Sequence, residues 1–116
     1  MVKPEIIGEV VHESIRAFRR ATGDTAPLPS WDELPKEKQE ITMDTVIRLV
    51  QDPDMNEVDV HNQWVLSKFD DGWRYGDTYD EKKKTHPLIV PYTDLPQEER
   101  LKDSLVRGIV NSLWVS

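Results

Sequence analysis

Apolar side chains return along this chain at helical spacing in four blocks, separated by short stretches rich in Gly, Pro and Asp. In the first block Ile7, Val11, Ile15 and Phe18 form a stripe with Val10, Ala17 and Ala21 beside it, and Pro4 stands where a first helical turn tolerates proline. The spacing predicts a helix over residues 4–22 that stops near Gly23. The turn-forming run 23–31, GDTAPLPSW, connects it to a second helix. Leu34-Pro35 opens that helix ahead of acidic first turns, Met43, Val46, Ile47 and Val50 form its buried side, and Asp52-Pro53 closes it. A third helix is predicted over residues 57–71, with Gly72 as its terminating glycine. A fourth follows Leu95-Pro96 and buries Leu101, Leu105, Val106, Ile109, Val110 and Leu113.

The third block decides where the chemistry goes. At about 100° per residue Val58, Val65 and Phe69 share one arc, with Leu66 near its edge, and this arc is expected to face the core. Trp64 projects elsewhere, grouped with Val60, His61 and Lys68. Its ring must bury against a second surface: a neighbouring loop, a partner chain or a flat ligand. Beyond Gly72, the runs WRYG and LIVPY have strand-like composition and are expected to pair as a small hairpin across the lysine-rich loop DTYDEKKKTH. In that arrangement Trp73 and Tyr75 point to one side and cover an edge of the core. The fold class is therefore α+β, mainly α: about four helices with a small two-stranded β-hairpin. LPKE at 34–37 returns as LPQE at 95–98, and DTVIR at 44–48 as DSLVR at 103–107. Similar helices starting similarly account for this echo.

A length of 116 residues fits a single domain, 1–116, with residues 1–53 as a leading helical pair and 57–115 as the core that carries the aromatic centre. The net charge of −7, from 22 acidic and 15 basic residues, repels a phosphate backbone and argues against a nucleic acid polymer as partner. With no cysteine, disulfide scaffolds and thiolate chemistry are excluded. The opening apolar run is too short for a signal peptide and no segment approaches a membrane span, so a soluble cytoplasmic protein without a membrane partner is expected. His12-Glu13 begins like a zinc-protease motif, but Arg16 stands where the second histidine belongs, and three scattered histidines predict no metal site and no cofactor. Glu13 is expected to pair with Arg16 or Arg20, and His12 to lie at the surface or cap the helix. No nucleophile triad, phosphate-cradling loop or paired-carboxylate signature stands out, and an enzyme is the least favoured class.

The run HNQW, DDGWRYG, DEKKKTHPLIVPYTDLPQEER resembles the RyR domain, the repeat first recognised in ryanodine receptors. It shares a Trp-bearing helix, G-W-x-Y-G, a basic stretch ending in H-P, L-[IV]-V-P-Y and an L-P-x-E helix start, over about Val58 to Leu113. The leading VVHESIRAFRRATGD and PSWDELPKEKQE also resemble short free-standing bacterial and phage proteins of this type. The resemblance implies a mostly helical α+β domain, no catalytic machinery, and a ligand-sensing or interaction role with nucleotide-like molecules as the favoured ligands. It implies an aromatic at the position of Trp64, and repeats that occur in pairs, so a single-repeat chain could restore the pair as a homodimer. No channel or membrane segment accompanies the match, and ion conduction is not carried over.

From these readings a site is expected at Trp64, His61 and Lys68, one helix face with a ring to stack on a base. Lys84 and His86, in the cluster of positive charge that includes Lys82 and Lys83, are the candidates for an anionic end, and Tyr75 could offer its hydroxyl. Arg16 joins the candidates through its nearness to Trp31 in the family pattern. The expected function is a non-catalytic binding module for a small phosphorylated aromatic ligand. The alternative is an interaction or homodimerisation module whose Trp64 face packs on another chain.

Overall fold

Prolines and glycines punctuate this chain, and most of its helix ends lie at or beside them. In the computed structural model, which describes residues 2–23 and 28–114, α1 spans Pro4–Ala21, α2 Lys36–Gln51, α3 Glu57–Asp70 and α4 Gln97–Leu113. Each agrees with the predicted helix to within two residues. Residues 24–27 of the connection after α1, and Val115, lie outside the described residues. None of the described helices is long and apolar enough to cross a membrane.

The echo between the two Leu-Pro segments is a shared helix entry. Trp31–Glu33 and Tyr92–Asp94 each make one 3-10 turn, closed by Leu34 N–H to Trp31 O at 3.2 Å and by Leu95 N–H to Tyr92 O at 3.1 Å. The following proline cannot donate, but its carbonyl accepts the first helical bonds, from Lys38 N–H to Pro35 at 2.9 Å and from Glu99 N–H to Pro96 at 3.0 Å.

α3 is closed at both ends by local chemistry. Asn56 Oδ1 accepts from Asp59 N–H at 2.9 Å and the Asp59 carboxylate accepts from Asn56 N–H at 3.4 Å, a reciprocal box that satisfies two end donors. Asn56→Ala should therefore lower the unfolding free energy by about 1 kcal/mol, measurable by urea titration. At the other end Gly72 has φ +90°, Trp73 N–H reaches back to Lys68 O at 2.9 Å and Gly72 N–H to Phe69 O at 3.0 Å. This left-handed closure turns the chain so that Trp73 lies over Lys68.

The chain forms two compact units, Met1–Met55 with Ser104–Ser116, and Asn56–Asp103. In the first, Ile7, Val11, Val46, Leu49 and Val110 are buried, which bears out the first half of the α1 stripe; Ile15 and Phe18 are half-buried and Val10 is exposed. Ile47 is exposed and Leu49 takes the inward position expected of it. At Gly8 a Cβ would lie 2.5 Å from Met43 Sδ and 3.4 Å from the Trp31 ring, so α1 packs close to both side chains and a larger residue would have to displace Met43.

The second unit holds the β pair, and its direction corrects the hairpin expectation. β1, Arg74–Tyr75, pairs in parallel with β2, Thr85–His86, in the register Arg74 with Thr85 and Tyr75 with His86. A hairpin needs one reversal, whereas Asp80 and Thr85 form an antiparallel bridge, so the chain turns once after Gly76 and again through Glu81–Lys84. Asp80 Oδ1 stabilises that second turn by accepting from Lys82 and Lys83 N–H at 3.0 and 3.1 Å. Gly76 faces Thr85, whose Cβ would lie 2.6 Å from an added Cβ. The LIVPY run makes no strand and leads through the buried Ile89 into the second 3-10 turn.

Candidate functional site

The face of α3 that turns inward is the one bearing His61, Trp64 and Lys68, not the predicted Val58–Val65–Phe69 arc. His61 is buried, while Val58, Leu66 and Phe69 are 42%, 56% and 41% exposed. The reason lies in what the second unit has to pack. Its interior is built from rings, and rings with polar edges find both contacts and partners there. Trp64 meets the His86 ring edge-on at 5.0 Å and stacks with His61 at 5.7 Å; Tyr79 and Trp73 approach His86 at 5.2 and 6.1 Å. Lys68 Nζ sits over both indoles, 4.7 Å from the Trp73 ring centre and 5.7 Å from that of Trp64. Of the second surfaces open to Trp64, the neighbouring loop is the one seen.

The imidazoles are held by backbone. His61 Nε2 lies 2.6 Å from Val90 O, and because a carbonyl only accepts, Nε2 carries the proton. His86 is used the other way round: its Nδ1 accepts from Leu88 N–H at 3.1 Å, so this nitrogen is unprotonated. This geometry uses a neutral ring, which weakens His86 as a phosphate-binding cation. Lys84, at φ +55°, donates from Nζ to Asp71 O at 2.7 Å and so satisfies a carbonyl at the end of α3. Tyr75 does not share the buried side of Trp73. It is exposed, and its hydroxyl donates to Asp77 at 2.7 Å, a bond to a carboxylate that raises the phenol above its ordinary range.

Beside Trp64 lies a cavity of about 220 Å³ lined by His61, Trp64, Leu88, Leu95, Glu99 and Asp103. It is smaller than the roughly 300–1,000 Å³ of pockets that enclose drug-sized ligands, and it suits one ring system. Its polar wall is acidic. Glu99 Oε1 accepts from Lys102 Nζ at 2.7 Å, and the half-buried Asp103 makes no hydrogen bond among the described residues. Burial first, then the charge of Glu99, pushes the Asp103 carboxyl up to about 6.

Residues 54–114, more than half of the chain, match the model of the RyR domain. The chain belongs to the RyR domain family. The match begins just ahead of the Asn56 cap and takes in α3, both strands and α4. Within the RyR domain the structure brings together Trp64, His61, Lys68 and His86, and it holds Lys84 and Tyr75 in other contacts. Arg16 and Trp31 precede the matched residues and are used inside the first unit. Trp31 N–H donates to Glu13 at 2.9 Å and Arg16 donates to it at 2.9 Å, and these two bonds hold the Glu13 carboxyl below its ordinary range; Arg16 also donates to Leu28 O at 3.0 Å. His12 is buried there, with Nε2 2.8 Å from Pro29 O, and is neither a surface nor a cap group.

Glu99 and Asp103 are the RyR-domain residues that sequence reasoning missed. They stand four apart on α4, a spacing that puts both on one face. Among 22 acidic residues that spacing carries no distinguishing signal. No group of three or more metal-ligating side chains occurs among the described residues.

Ionising Asp103 in its half-buried position opposes folding. Its folded pKa lies above the ordinary 3.8, so the native state holds the extra proton between about pH 4 and 6, and stability falls as pH rises through that window. Asp103→Asn should thus be more stable than wild type at pH 7, by on the order of 1 kcal/mol after allowance for its partial exposure. The gain should disappear below about pH 4 in urea titrations run across pH.

Proposed function

We propose that this RyR domain is a non-catalytic binding or sensing module for a small ligand that carries a flat, nucleotide-like ring. The observation that carries the reading is the ring-sized cavity against Trp64 and His61, open beside an indole already held in place by His86 and Lys68. A preorganised aromatic face loses little freedom when a second ring stacks on it. The ring, rather than a phosphate, is the part assigned to the cavity, because among the described residues no lysine or arginine lines it.

The test is a thermal-unfolding screen against purine and pyrimidine nucleotides, cyclic nucleotides and dinucleotides. A ligand that binds only the folded chain adds about 2.7 kcal/mol of stability at one hundred times its dissociation constant. Stabilisation by a ring-bearing ligand supports the reading, and its absence across the panel sinks it.

A second reading, an interaction or homodimerisation module, is favoured by a different surface from the one first expected. Val58, Leu66 and Phe69 are exposed on α3, and Val65 and Phe69 border an apolar groove of about 350 Å³ with Ile89, Val90 and Pro91. If this surface joins two copies, the mass in solution should rise with concentration, and Phe69→Asp should hold the chain monomeric. A monomer mass for wild type at millimolar concentration would remove the homodimer form.

A further inference from the structure

The cavity beside Trp64 has two ring walls, two aliphatic walls and two carboxylates. An ionised carboxylate only accepts hydrogen bonds, so what completes this wall is a donor. Asp103 makes no hydrogen bond among the described residues, and Glu99 commits Oε1 to Lys102. Carboxylates that line a partly buried space together with an indole are best satisfied by N–H groups on the edge of a ring seated against that indole.

We propose that Glu99 and Asp103 read adjacent N–H donors on the edge of a planar heterocycle seated against Trp64, so that a guanine-type ring is preferred over an adenine-type one. This rests on the ring-binding reading above. Guanine sets a ring N–H beside an exocyclic amino group, two parallel donors that match the two oxygens of one carboxylate. Adenine sets its amino group beside a bare ring nitrogen, whose lone pair meets a carboxylate oxygen lone pair and repels it. The preference reverses when the carboxyl gains a proton, for a neutral acid donates once and accepts once, which is the adenine pattern. The groups that bear on Asp103 are Glu99 and Lys102 of α4 and Glu57 of α3, with His61 across the cavity. Their balance leaves Asp103 ionised at pH 7.5 and protonated at pH 5.

The experiment titrates guanosine, inosine and adenosine, without phosphate, into wild type and Asp103→Asn at pH 7.5 and pH 5. The readout is the indole N–H signal of Trp64, assigned with Trp64→Phe. At pH 7.5 wild type should bind guanosine more tightly than adenosine by roughly 5- to 150-fold, the range of one good bidentate base contact. Inosine, which keeps only the ring N–H, should fall between. Asp103→Asn presents one acceptor and one donor and should lose or reverse the preference at both pH values; wild type should move the same way at pH 5. Adenosine binding more tightly than guanosine at pH 7.5, or an Asp103→Asn ratio equal to that of wild type, overturns the donor-edge assignment while ring binding stands. A Trp64 signal that moves with none of the three nucleosides overturns both.

Discussion

Trp64→Ala should weaken any ring-bearing ligand of this RyR domain by about 5- to 150-fold, the equivalent of the roughly 1–3 kcal/mol that one aromatic–base stack contributes. The indole is half-buried, edge-on to His86, and one wall of the cavity is its own surface. Its removal deletes the stacking plane and widens the cavity, so the effect should appear as faster dissociation more than slower association. The same substitution also frees Lys68 from one of its two rings and removes a partner of His86, so some loss of fold stability accompanies it. Trp64→Phe separates the two effects, since it restores a smaller π-face at the same position. Calorimetric titration of all three proteins should rank them wild type, Phe, Ala. Equal affinity for wild type and Trp64→Ala would show that the ring does not sit on Trp64.

Leu49→Ala should have the largest effect on stability, about 2–5 kcal/mol. Leu49 is fully buried in the first unit, as are Ile7, Val46 and Val110. Few side chains of that unit reach full burial, so there is little neighbouring apolar bulk to collapse into the space, and the cost should lie toward the upper part of the range. The midpoint of urea unfolding reads it directly. A loss below 1 kcal/mol would mean that α2 repacks around a different residue.

The particular residues explain how far the sequence could be read. Helix ends were legible because Pro4, Gly23, Pro35, Pro53, Gly72 and Pro96 act through local backbone geometry, which no tertiary contact has to supply. The family was legible for a related reason: its signature is a set of fixed spacings around such residues. The inward face of α3 was misread because apolar periodicity ranks aliphatic side chains above His61 and Lys68. Inside this unit His61 reaches Val90 O and Lys68 lies over two indoles, so these polar groups are satisfied where the rule expects only Val and Phe. Trp64 was legible as a ring in need of a second surface. Its cavity was not, because Leu88, Leu95, Glu99 and Asp103 are ordinary residues until α4 and the His86–Leu95 segment are brought beside it. The parallel pairing of β1 and β2 was hidden in the same way, since two reversals within nine residues leave the composition of a simple loop.

The three histidines tie the chain together in chemically opposite ways. His12 and His61 grip the carbonyls of Pro29 and Val90 with a donated proton, and a ring that donates keeps that bond when it takes up a second proton. His86 grips Leu88 with a lone pair, and a proton on that nitrogen takes the bond away. Two of the ties therefore hang on a donated proton and the third, the one in contact with Trp64, on a lone pair, so of the three rings His86 is the one whose Nδ1 must stay bare to hold the turn at Pro87–Leu88.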